Sequence, residues 1–142
     1  MLKAVKFTFA DLLDFDCSEN CEDLARDIKK GLDSGLHTIV SIKNEKEETI
    51  ALAGLFEFRS GVVEAWIIRG HKIDNYKYGF FKLIHSLIYD FVFPHMGVHR
   101  LQIAVKKQWR RWAETLGLEY ECFLRAYDDD YTDYYQYSKV VI

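Results

Sequence analysis

Three groups of side chains in this 142-residue chain have the types and spacing to do chemistry. The first is a pair of carboxylates, Glu57 and Glu64, set in runs of β-branched and aromatic residues. A carboxylate on a strand can serve as a general base. The second is cationic. Lys72 and Lys77 bracket the start of a helical pattern, and Lys106-Lys107-Gln108-Trp109-Arg110-Arg111-Trp112 follows later. A helix start gathers unpaired N–H donors and the positive end of the helix dipole, so lysines beside it suit an anion. The third is the segment from Tyr127 to Tyr137, with five Tyr and four Asp. Charge and cation–π attraction there favour a cation. Each group also has a plain structural reading: edge carboxylates, a solvated cationic stripe, and an amphipathic hairpin.

Other residue types offer less. The five histidines form no set, and His95 and His99 flank Met96-Gly97-Val98 without a carboxylate at metal spacing, so no metal site is expected. His71 follows a strand pattern closely enough to matter to any groove there. Cys17, Cys21 and Cys122 cannot all pair, and their number fits a reducing cytosol. The opening residues are broken by Lys3, Lys6 and Asp11, so they lack a signal-peptide core. The apolar stretch Ile84 to Phe93 is interrupted by His85 and Asp90 and is too short to span a bilayer. These features place the chain in the cytoplasm. Nineteen basic against twenty-two acidic residues give a net charge of -3, which argues against nucleic acid as a partner. The length fits one domain over 1–142.

The positioning elements follow from hydrophobic period. Lys3 to Phe9 alternates as a half-buried strand does. Ser18 or Asn20 suits the cap of a helix through Leu24, Ile28 and Leu32, ending near Gly31 or Gly35. His37 to Lys43, Thr49 to Phe58 and Val62 to Ile68 read as three strands joined by short turns, hence an antiparallel meander. From about Asn75 to Phe93 the period becomes helical, with Asp74 or Asn75 as cap and Pro94 as stop. A strand from His99 to Val105 follows, then a short helix with Trp109, Trp112, Ala113 and Leu116 on one side and Arg110, Arg111 and Glu114 facing out. Glu119 to Ala126 and Tyr134 to Val141 close the chain as a hairpin. The strand–helix–strand from Val62 to Val105 makes one parallel, right-handed crossover in a mostly antiparallel sheet.

This order resembles the GNAT acyltransferase fold over nearly the whole chain. Arg100 to Glu121 is its most telling part, with Leu116-Gly117-Leu118 at the family's Leu-Gly-Phe turn. The plan also resembles, less closely, small GNAT-like proteins of tailed phages. The resemblance implies an α/β (α+β) fold with a mixed, mostly antiparallel six- to seven-stranded sheet. It implies a groove where the fourth and fifth strands part, with acetyl-CoA as cosubstrate. Pantetheine would pair with the exposed edge of the fourth strand, Val63 to Ile68, with Ile67 and Ile68 as its binding positions. The pyrophosphate would rest on backbone near Tyr76, Lys77, Tyr78 and Gly79, with charge from Lys72 and Lys106. An amine, on a small molecule or a protein, would attack the thioester directly, with Glu64 as base and Glu57 as second choice.

Two departures stand out. Over Asp74 to Gly79 only Gly79 matches the family's phosphate loop, and Asp74 replaces a cation. Ala113 stands where relatives carry the tyrosine that reprotonates the thiolate, so Tyr120 or a loop tyrosine would have to serve. The alternative is a GNAT-fold protein without catalysis, acting as a binding or structural part such as a virion component. In that case the Tyr-rich hairpin would hold a protein partner or a second copy.

Overall fold

Alternating apolar residues build a seven-stranded sheet, and two helical layers cover its faces. The computed structural model describes residues 1–17 and 23–142. Strands β1 (Lys3–Lys6), β2 (His37–Lys43), β3 (Thr49–Arg59), β4 (Val62–Arg69), β5 (Arg100–Val105), β6 (Glu119–Leu124) and β7 (Tyr134–Val140) lie in the order β1-β2-β3-β4-β5-β7-β6. Every neighbouring pair is antiparallel except β4 and β5. The expected meander and the single parallel crossover are both present. Gly61, with φ of +79°, makes the tight turn between β3 and β4.

Helix α1 (Leu24–Asp33) covers one face through Ile28, which packs with Phe7, Ile39, Leu52, Trp66 and Ile68. Helix α2 (Lys77–Ser86) covers the other. It continues through a π-helical turn, Leu87–Val92, into the short α3 (Phe93–His95). Phe80, Ile84, Ile88 and Val92 bury its inner side against Val63, Leu101 and Ile103. Helix α4 (Arg110–Thr115) adds Ala113, wholly buried, to the same core.

The period of two in β4 puts Glu64, Trp66 and Ile68 on one side and Val63, Ala65 and Ile67 on the other. Gly54 lies opposite Trp66 across the strand pair. A Cβ there would sit 2.2 Å from the indole, so only glycine lets the ring lie against the sheet.

Several boundaries move. The chain leaves β1 at Lys6 and enters a 3-10 turn, Phe9–Leu12, because Asp11 folds back onto the sheet. The segment ahead of α2 is a 3-10 helix, His71–Tyr76, so Asp74 lies within it and caps nothing. The candidate caps Ser18 and Asn20, and Cys21, lie outside the described residues. Cys17 is disulfide-bonded, against the expectation of reduced thiols, and Cys122 is free and exposed. No helix among the described residues is long and apolar enough to cross a membrane.

Candidate active site

The site begins where a hydrogen-bond ladder stops. β4 and β5 pair only through Val62 with Arg100, Val63 with Leu101 and Glu64 with Gln102. Beyond Glu64 no pair joins the two strands, although β4 runs on to Arg69 and β5 to Val105. The parted edges leave backbone donors and acceptors facing a gap. Such groups need partners. A cavity of about 450 Å³ fills the fork.

Its walls come from both arms and from the segments that follow them. β4 supplies Glu64, Ala65, Trp66, Ile67 and Arg69, and β5 supplies Ile103, Ala104 and Val105. Lys77 and Phe80 enter from the start of α2, and Lys106, Trp109 and Trp112 from beyond β5. The β6–β7 loop closes one side with Tyr127, Asp128 and Tyr134. The Arg69 guanidinium lies 3.7 Å from the centre of the Trp109 ring, bridging the two arms. Such a stack combines dispersion with cation–π attraction. Trp109 Nε1 is buried and has no hydrogen-bond partner among the described residues. Trp109 lines the cavity with its ring.

The expected residues divide. Glu64, Ile67, Lys77 and Lys106 all line the cavity. Ile68 turns away into the core beneath α1, as the alternation in β4 requires. Lys72 is bound to Glu48 in a short ion pair away from the cleft. The Tyr76 hydroxyl donates to Glu45 Oε1 (3.0 Å) and accepts from Asn44 Nδ2 (3.2 Å), so it staples the β2–β3 turn. Tyr78 is 76% exposed under the Lys82 ammonium, and Gly79 faces Leu2. Tyr120, on the outermost strand, packs on Tyr137 beneath Arg110 and is not brought to the cleft. Arg110 itself does not face out: it lies over the Tyr135 and Tyr120 rings and donates from Nε to Tyr137 Oη at 3.0 Å. Glu57 and His71 are exposed and lie outside the cavity lining.

Arg69 is the functional candidate that sequence reasoning missed. Its signal was a cation at the very end of a strand whose neighbour departs, next to Gly70. Trp109, on the same helical side as Trp112, Ala113 and Leu116, packs against the core and lines the cleft as well. Of the acidic, aromatic rim expected over Tyr127 to Tyr137, the structure brings Tyr127, Asp128 and Tyr134 to the cavity.

The charges of the site are set by their surroundings. Burial raises the Tyr127 phenol above its usual value, and the Glu64 carboxylate raises it further. Asp128 is lowered, chiefly by the Thr132 amide that donates to it. Among the described residues no three His, Cys, Asp or Glu side chains cluster to hold a metal.

A sheet forked between its only parallel strands, with a helix start and cations at the open end, is the GNAT fold, and this chain has it. No family model and no curated protein sequence matches the chain. Solved structures do. The spermidine N-acetyltransferase from Vibrio cholerae in complex with CoA and spermine superposes with a TM-score of 0.75 at 15% identity, over 98% of this chain and 95% of that one. The same enzyme in complex with manganese ions gives 0.72 at 14% identity, over 98% and 92%. A chimera of the Vibrio cholerae enzyme with hSSAT gives 0.74 at 15%, over 98% and 95%.

Proposed function

We propose that the protein is an acetyl-CoA-dependent N-acyltransferase acting on an amine by direct attack on the thioester. The observation that carries this reading is the open fork, with Glu64 at its closed end and Arg69, Lys77 and Lys106 along its walls. The residues present fit the donor molecule. The unpaired edge of β4 past Glu64 can pair with an amide-bearing pantetheine arm as an added strand would. Lys77, beside the first amides of α2, suits the pyrophosphate.

The donor supplies an activated acyl carbonyl, and the protein's tasks are position and proton transfer. Glu64 makes no hydrogen bond or ion pair among the described residues, so its carboxylate is available to take a proton from the attacking amine, directly or through water. Asp128 adds negative charge on the loop side and favours a cationic acceptor. Solved neighbours named as spermidine N-acetyltransferases support an amine as acceptor. Acetyl-CoA supply favours a cytoplasmic setting.

Thermal unfolding with and without acetyl-CoA tests this. A ligand at about 100 times its Kd, bound only by the native state, adds about 2.7 kcal/mol, or roughly 6–10 °C for a domain of this size. Thiol release with spermidine or a lysine peptide as acceptor then reports transfer. An unchanged Tm at saturating acetyl-CoA overturns the reading and favours the non-catalytic alternative.

A further inference from the structure

Acyl transfer to an amine needs a proton for the leaving thiolate, and the fold's usual source is missing. Ala113 is wholly buried and has nothing to donate. The chain has nine tyrosines, and most are committed elsewhere. Tyr76, Tyr89 and Tyr137 spend their hydroxyls on Glu45, the Leu116 carbonyl and Glu114. Tyr120 and Tyr135 lie under Arg110, while Tyr78 and Tyr131 are 76% and 81% exposed. Only Tyr127 and Tyr134 line the cleft. Tyr134 donates to Asp128 Oδ2 at 3.1 Å. The Tyr127 hydroxyl makes no hydrogen bond among the described residues.

We propose that Tyr127 is the proton donor to the leaving thiolate, and that it forms with Glu64 a self-resetting acid–base pair across the fork. The proposal rests on the acyltransfer reading above. The loop that carries Tyr127 is built to hold it. Its backbone N–H donates to the Thr132 carbonyl at 2.8 Å, and the Ala126 N–H donates to Asp133 Oδ1 at 2.9 Å. Asp128 Oδ1 accepts from the amides of Asp130 (3.0 Å) and Thr132 (2.9 Å). The Tyr127 ring packs on Tyr134 with centroids 5.3 Å apart. Asp128 and Tyr134 are therefore positioning residues. Tyr127 is 50% exposed, and the partial burial of its phenol, with the Glu64 charge across the cavity, keeps it protonated, the form a donor needs.

The step balances. The amine lone pair forms the C–N bond at the thioester carbonyl carbon, and an N–H proton passes to the Glu64 carboxylate. The C–S bond breaks with its electron pair on sulfur, and the Tyr127 O–H proton passes to sulfur. The proton now on Glu64 then returns to the Tyr127 phenolate, directly or through water. Amide and free thiol leave, and both groups are restored.

The test compares wild type with Tyr127→Phe in the full chain, using spermidine and a lysine peptide as acceptors. Two donors are used: acetyl-CoA and an acetyl arylthioester, whose acidic thiol leaves without protonation. General acid catalysis of this kind contributes about 10²–10⁴-fold. We expect Y127F to lose about 10²-fold in kcat with acetyl-CoA, to lose less than about tenfold with the arylthioester, and to keep the acetyl-CoA thermal shift. Tyr134→Phe, which loosens the loop alone, should slow both donors equally. Y127F within about threefold of wild type, equal loss with both donors, or loss of the thermal shift each overturns the assignment while leaving acyl transfer standing. A wild type that turns over neither amine overturns the acyltransfer reading itself.

Discussion

Asp11, in the 3-10 turn folded onto the sheet, and Glu64, on β4, are both partly buried carboxylates, and they are treated in opposite ways. Asp11 is closed off: Lys43 Nζ and Ser41 Oγ each donate to it at 2.7 Å, and the Thr8 amide at 2.9 Å. Burial alone would raise its carboxyl, but these hydrogen bonds outweigh burial and hold it down at about 2. Glu64 sits at the last rung before the strands part and has no such partners among the described residues. A charge that serves the fold has its lone pairs satisfied, because an unsatisfied buried group costs stability. A charge that serves a reaction keeps them available. The lysines differ in degree: Lys72 is locked to Glu48, whereas Lys77 faces the cavity with a long, exposed ion pair to Asp74 at 3.8 Å, itself on the cavity wall.

Substitutions sharpen that division. Glu64→Gln should lower kcat by about 10²-fold or more and leave Tm within about 1 °C, since the amide keeps the shape and loses only the base. A large Tm loss with normal turnover would reverse the roles of the two carboxylates. Asp11→Ala should do the opposite, costing about 2–3 kcal/mol by stranding Lys43 and Ser41, with the acetyl-CoA response retained.

Two depressed carboxylates outside the cleft set an acid limb. The Asp11 carboxyl is depressed from 3.8 to about 2 in the folded chain, and that of Glu121, held chiefly by Arg100, from 4.5 to about 2. Both contribute stability that is present above the unfolded values and lost as pH falls from about 4.5 through 2. Melting curves across that window should flatten in Asp11→Asn, and an unchanged slope would remove Asp11 from the account. Lys77→Glu should weaken acetyl-CoA binding about tenfold, seen as a smaller thermal shift. Lys72→Ala should be the mildest, leaving Tm nearly unchanged and acetyl-CoA binding unaffected, because its ion pair is solvent-exposed. A Lys72 effect on affinity as large as that of Lys77 would place both in one site.

Much of this was legible from residue order. The Val62 to Ile68 alternation put Glu64 and Trp66 on one face, and the structure keeps them there. The helix after Gly70 and the strand from Arg100 demanded a parallel crossover, and β4 and β5 pair that way. The loop was harder. Lys72, Tyr76, Tyr78 and Gly79 looked equivalent to Lys77 as helix-start residues, but the 3-10 turn from His71 to Tyr76 aims Tyr76 and Lys72 at Asn44, Glu45 and Glu48. Tyr120 and Tyr127 were likewise indistinguishable as late tyrosines.

Local period decides which face of an element a residue occupies, so the element order, the meander, the crossover and the side of Glu64 were set by the sequence itself. Which residues from different elements meet depends on contacts far apart in the chain. β7 lies between β5 and β6, which carries Tyr120 to the outer strand under Arg110 and turns Tyr127 back over the fork. The ladder between β4 and β5 ends at Glu64 and opens the gap that Arg69 and Trp109 bridge. Those placements came only with the tertiary structure, because strand order and divergence are settled by the packing of the whole sheet against α1 and α2.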